Sequence, residues 1–198
     1  MNQKQTTQST ERSPLKKTSG IQVYQLVQMS ILAALSIALV YLLRFPIFPS
    51  ASFLEYDPAD IALFLGTLLY GPAAGLILTA VVCVIQGLTV SAVAGPIGIL
   101  MHFAATGSFV LVAGLMTRKN KSVLRVLLAL AAGVATMCAT MILWNILITP
   151  LYMGVPRAAI IEMILPVFLP FNLIKAGVNS ALAFAVYKTV GRFLTRRA

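Results

Sequence analysis

"FLPFNLIKAGVNSALAFAVYK", residues 168–188, reads as a membrane helix with one cation, Lys175, in its middle. The run is as long as a bilayer crossing of about 20 residues. An ammonium group is expensive in hydrocarbon, so it marks either a functional interior or a side chain that reaches back to the headgroups. Which of these holds decides what kind of bundle surrounds it.

Outward from this stretch the chain keeps the same character. Of its 198 residues 59% are hydrophobic and only 10% charged, a composition outside that of soluble domains. We read an all-α integral membrane protein. Helices that are apolar all round show no period, so their limits come from run length and from Pro, Gly and charge. Six segments result: 21–43, 58–70, 73–94, 97–117, 124–148, and a sixth that starts between residues 161 and 171, interrupted by Pro166 and Pro170, and ends near Val190. The second is short for a span. Connections too short to fold separately predict a single six-helix transmembrane domain over 21–198. The polar stretch 1–20, "MNQKQTTQSTERSPLKKTSG", is expected as a disordered cytoplasmic tail, and no cleavage site follows the first apolar run. Cys83 and Cys138 each lie in an apolar run without a CxxC partner and read as small packing residues.

The net charge of +10 reports topology rather than nucleic acid. Lys4, Arg12, Lys16 and Lys17 precede the first segment, Arg118, Lys119, Lys121 and Arg125 join the fourth to the fifth, and Lys188, Arg192, Arg196 and Arg197 close the chain. An even number of crossings puts all of these on one face. Both termini are therefore expected in the cytoplasm of a cell-membrane protein. Arg44, Arg157, Glu55, Asp57, Asp60 and Glu162 fall on the opposite face.

On a regular sixth helix Asn172, Lys175 and Asn179 stand at i, i+3 and i+7 and share one side. Lys175 lies about 7–8 Å below the outer end of that helix, counted from Pro170 at about 1.5 Å per residue. Asn145 lies at a similar depth on the antiparallel fifth helix. Three polar side chains from two helices then meet at one level, a recurring way to build a site in lipid. The alternative is a snorkelling lysine, an Asn172 that belongs to the helix cap, and an Asn145 that serves helix contact. Above the cluster, "RFPIFPSASFLEYDPAD" (44–60) joins Phe45, Phe48, Phe53 and Tyr56 with three prolines. It reads either as an interfacial aromatic belt or as a lid over a flat ligand. Trp144, next to Asn145, reads either as a belt anchor or as a pocket wall. Ser30, Ala34 and Ala38 recur every four residues on the first helix, which suits close helix packing, inside the bundle or against a partner protein. His102 has no second metal ligand at useful spacing and reads as a hydrogen-bonded packing or pocket residue. The sequence lacks HExxH, GxSxG and GxxxxGK motifs and a nucleophile–base pair, so an enzyme is not expected, nor a catalytic or metal residue, nor a cofactor.

Two stretches carry a family resemblance. "FPIFPSASFLEYDPADIALFLGTLLYGPAAG" and "FLPFNLIKAGVNS" resemble the first loop with second helix, and the start of the sixth helix, of the substrate-binding S components of energy-coupling factor (ECF) transporters, in their riboflavin-binding branch. The similarity runs over nearly the whole chain after the polar tail. It implies a six-helix subunit that captures riboflavin from outside with high affinity and delivers it by toppling while docked on a transmembrane coupling subunit and two ATPases. Riboflavin is then the substrate, not a cofactor. The positions that match the branch's ligand residues are Asn145, Asn172 and Lys175, with the first loop as lid, and Ala34 and Ala38 match the family's AxxxA contact with the coupling subunit. Gln86, in "VIQGLTVSAVAGPIG", departs from the family pattern, which often carries lysine in that region. An S component for another vitamin or modified base, and a structural membrane subunit, are the alternatives.

Overall fold

The computed structural model describes residues 19–92 and 95–194. The expected tail falls almost wholly outside the described residues, as do Lys4, Arg12, Lys16, Lys17, Arg196 and Arg197. Helix α1 spans Ser19–Leu42, α2 Ala59–Tyr70, α3 Pro72–Leu88, α4 Gly95–Thr117, α5 Val123–Leu147, α6 Thr149–Met153, α7 Arg157–Met163 and α8 Leu169–Leu194. Among the described residues four stretches are long and apolar enough to cross a membrane: 23–42, 95–117, 123–147 and 157–189. Helices α2 and α3 are apolar but shorter.

The short α2 is explained by where it lies. Ten of its twelve residues are buried, and it packs against α1, α3, α4 and α8. At about 1.5 Å per residue it is only about 18 Å long, less than the hydrocarbon thickness of about 30 Å. Protein rather than lipid surrounds it, so its ends need partners from the chain. At the N-terminal end the amide of Ala59 donates to Oδ1 of Asp57 at 3.2 Å. At the other end Nζ of Lys121 donates to the carbonyl of Leu69 at 3.0 Å, and that of Thr67 accepts from the amide of Gly71 at 2.8 Å. Phe64 of α2 stacks on Phe109 of α4, with ring centroids 3.6 Å apart, and Ser36 of α1 donates to the carbonyl of Ala59 at 2.9 Å. The outer faces of α1, α3, α5 and α8 carry exposed Leu, Ile and Val, the pattern of a bundle wrapped in lipid.

Three boundaries differ from the sequence reading. Helix α3 stops at Leu88, not near residue 94, because the amides of Thr89 and Ser91 turn back to the carbonyl of Gln86. Gly95 then takes a φ of 58° ahead of Pro96, a conformation that suits glycine. Beyond α5 the chain folds again at once, with Pro150 in the tolerant first turn of α6 and Gly154 ending it at a φ of 66°. The last stretch begins earlier than expected, at Arg157, and passes through a π-helical turn at Ile164–Phe168 into α8. Pro166 lies in that turn, where the missing amide is accommodated by wider helical pairing.

The loop after α1 is a small hairpin. Strand β1 (Phe45–Pro46) pairs antiparallel with β2 (Glu55–Tyr56), with a 3₁₀ turn at Pro49–Ala51 between them.

Candidate functional site

Lys175 faces the protein interior. Its Nζ donates to Oδ2 of Asp57 at 2.7 Å, and the two side chains are 12% and 13% exposed. One turn on, Asn179 accepts from the hydroxyl of Tyr56 at 2.8 Å and donates to the carbonyl of Asp57 at 3.0 Å. The polar face of α8 thus grips residues 56 and 57, where the hairpin meets α2. Burial raises the pKa of the Tyr56 phenol above its usual value, and the nearby Asp57 carboxylate adds to this. A second clasp lies at the rim, where Arg44 pairs with Glu55 and donates to the carbonyl of Val90 at 2.6 Å. It ties the hairpin to the α3–α4 connection.

Beneath the hairpin is a cavity of about 200 Å³. Lys175, Asn172 and Phe171 of α8 line one side of it, Gln86 and His102 come from α3 and α4, and Phe53 and Asp57 from the loop. Much of the remaining lining is apolar, including Ile99, Met101, Met137 and Met141. Arg44, Glu55 and Ser91 complete its polar lining, so apolar walls meet convergent polar groups as in a small-molecule site.

The expected site residues divide into four groups. Asn172, Lys175 and Phe53 share the cavity; Phe53 also packs its ring 6.2 Å from that of Phe168. Tyr56 and Asn179 form the clamp behind it. Asn145 is buried, but its amide donates to the carbonyl of Met141 at 2.8 Å and its Oδ1 accepts from Thr149 at 2.9 Å. Asn145 and the half-buried Trp144 are not part of the cavity lining, which α5 reaches through Met137 and Met141. Ser30, Ala34 and Ala38 are exposed on the outer face of α1, opposite the buried Leu32, Ser36 and Val40. Packing inside the bundle therefore does not account for that stripe.

Sequence reasoning missed the partners. Asp57 was read only as an external acid, since nothing local announces a bond across 118 positions. Asp60 is fully buried, accepts from Thr106 at 3.1 Å and lies 3.4 Å from Nε2 of His102. Its place in the first turn of α2 suits a carboxylate. That position was the one available signal.

Comparisons with known proteins place the chain in a family. A family described as "ECF transporter, substrate-specific component" matches residues 24–187. The chain is 29% identical over 174 residues to the riboflavin transporter FmnP of Bacillus subtilis (strain 168), covering 84% of this chain and 90% of that protein. It is 28% identical over 187 residues to the riboflavin transporter RibU of Staphylococcus aureus (strain TCH60), covering 91% and 97%. A solved structure of the S component of a bacterial ECF transporter superposes with a TM-score of 0.73 at 27% identity, over 87% of this chain and 98% of that one.

Proposed function

The chain belongs to the family of ECF transporter substrate-specific components, integral membrane proteins that are not enzymes, and from that premise we propose that its cargo is riboflavin, held in the cavity beneath the hairpin. The observation that carries this reading is the inward ammonium of Lys175 beside Asn172, across a cavity whose walls are partly apolar and partly polar. An isoalloxazine ring is flat and mostly apolar, but its pyrimidine edge presents two carbonyl acceptors around an N–H. An ammonium has three donors, so Lys175 has capacity for a ring carbonyl while it keeps Asp57. One N–H of Asn172 is given to the carbonyl of Phe168 at 2.7 Å, and its second N–H and its Oδ1 supply a donor and an acceptor along the same edge. Phe53 covers the ring from the loop side. Asn145 and Trp144 belong to the proposed site as support beyond Met141, and Tyr56 and Asn179 hold the lid.

A cavity of about 200 Å³ is smaller than typical ligand pockets of about 300–1,000 Å³. In the proposed cycle the hairpin lifts to admit the ring and closes as the two clasps re-form.

The finer topology belongs to the same reading. Counting the protein-sheathed α2 and the short α3 as crossings gives one six-helix domain, and the basic residues then put both termini in the cytoplasm. The exposed face of Ser30, Ala34 and Ala38 is the proposed docking stripe for a transmembrane coupling subunit, which brings two ATPases. The protein itself has no nucleotide-binding motif, so the energy for uptake comes from that assembly.

Protein purified in detergent tests the proposal. Bound flavin appears as a yellow chromophore, and added riboflavin raises the melting midpoint of ligand-free protein by mass action. Riboflavin fluorescence that is not quenched by the protein, with an unmoved midpoint, contradicts it.

A further inference from the structure

Among the described residues three buried side-chain atoms have no hydrogen-bond partner: Oδ2 of Asp60, Nε2 of Gln86 and Oγ of Ser180. Of the three residues, only Gln86 belongs to the cavity lining. A buried amide left without a partner is costly, so such a group in the wall of a binding cavity calls for a partner that arrives with the ligand.

The chain around Gln86 fixes its position. Its carbonyl accepts from the amides of Ser91 at 2.8 Å and Thr89 at 3.2 Å, which pins the end of α3. The next residue, Gly87, lets Ile99 of α4 come so close that a Cβ there would lie 2.0 Å from it. Ser91 and His102 join Gln86 in the lining, and Asp60 holds the His102 ring from behind. This wall is polar but belongs to α3, α4 and their connection, not to the α8 wall that meets the ring edge.

We propose that Gln86 is a specificity-determining residue that, with Ser91 and His102 beside it, hydrogen-bonds the hydroxylated chain of the ligand. The assignment rests on the riboflavin reading above. Riboflavin has two polar parts, the pyrimidine edge and the ribityl hydroxyls, and the first is matched by Asn172 and Lys175. Hydroxyls both donate and accept without charge. They match a neutral carboxamide and the Ser91 hydroxyl, and they give the Gln86 amide its missing acceptor.

Lumichrome keeps the three fused rings and the pyrimidine edge of C2 carbonyl, N3–H and C4 carbonyl, in the alloxazine tautomer, and lacks the polyol, so it separates the two walls. Fluorescence quenching titrations of riboflavin and lumichrome are run on the wild-type protein, Gln86→Leu and Gln86→Met, with the ligand-free melting midpoint of each. The expected result is a loss of about tenfold or more in riboflavin affinity in both variants. Lumichrome affinity stays within about twofold, and the ligand-free midpoint is unchanged or higher, because removing an unpartnered buried amide costs the fold nothing. Equal losses for both flavins, or unchanged riboflavin affinity, overturn the assignment. Loss of folding in one variant leaves the other to decide, and a lowered midpoint in both shows that the amide serves the fold and also overturns it. Wild-type protein that quenches neither flavin overturns the riboflavin reading itself, an outcome distinct from the other failures.

Discussion

Asn145, near the C-terminal end of α5, and Asn172, in the first turn of α8, are the same residue type, and both spend one amide N–H on a carbonyl four residues back, Met141 at 2.8 Å and Phe168 at 2.7 Å. They differ in what is left. The Oδ1 of Asn145 takes the hydroxyl of Thr149, whereas Asn172 lines the cavity beside Lys175. A polar side chain in a membrane helix becomes a ligand group where its own chain stops supplying partners. Residue type alone does not reveal this, because Ser, Thr and Asn bond back to their own helices readily.

The largest effect that sharpens this contrast is expected from Lys175→Met. It removes a charged donor to the ring and leaves Asp57 without its cation, so riboflavin binding should fall about 30-fold or more, about 2 kcal/mol. Pairing the change with Asp57→Asn should restore thermal stability without restoring affinity, since the stranded carboxylate is then gone. Next comes Asn172→Ala, with a loss of about tenfold in a quenching titration, or about 1.4 kcal/mol. Asn145→Ala should cost about threefold or less, about 0.6 kcal/mol, because only the support behind Met141 changes. A tenfold loss at Asn145 with none at Asn172 would break the comparison.

Tyr56→Phe should act on the lid alone. Losing the bond to Asn179 should lower stability by about 1 kcal/mol. The Tyr56 phenol has its pKa raised in the folded protein, so the stabilisation is complete below the usual phenol value of about 10 and is lost as pH rises through the higher folded value. Melting curves in alkaline buffers should therefore fall more steeply above about pH 10 for wild type than for Tyr56→Phe. Parallel curves would remove Tyr56 from the clamp.

Much of the helical architecture was legible in the sequence because lipid imposes a length and an apolar surface on helices. The polar face of α8 was legible too, since Asn172, Lys175 and Asn179 repeat at helical spacing and all three point inward. The early end of α3 and the short α6 and α7 were not, because the stop after Leu88 is made by backbone amides of Thr89 and Ser91, and Pro150, read as the end of a helix, also starts the next one. Nor was the pairing of Lys175 with Asp57 or of His102 with Asp60, which join residues far apart in the chain. These contacts come from tertiary packing, and they make a lone cation part of the wall of a cavity.

A crystal structure of the protein purified with riboflavin tests the central claim most directly. The account predicts the flavin beneath the hairpin, with a pyrimidine-edge carbonyl within hydrogen-bond distance of Nζ of Lys175. A flavin seated elsewhere, or a Lys175 directed into lipid over a solidly packed interior, would contradict it.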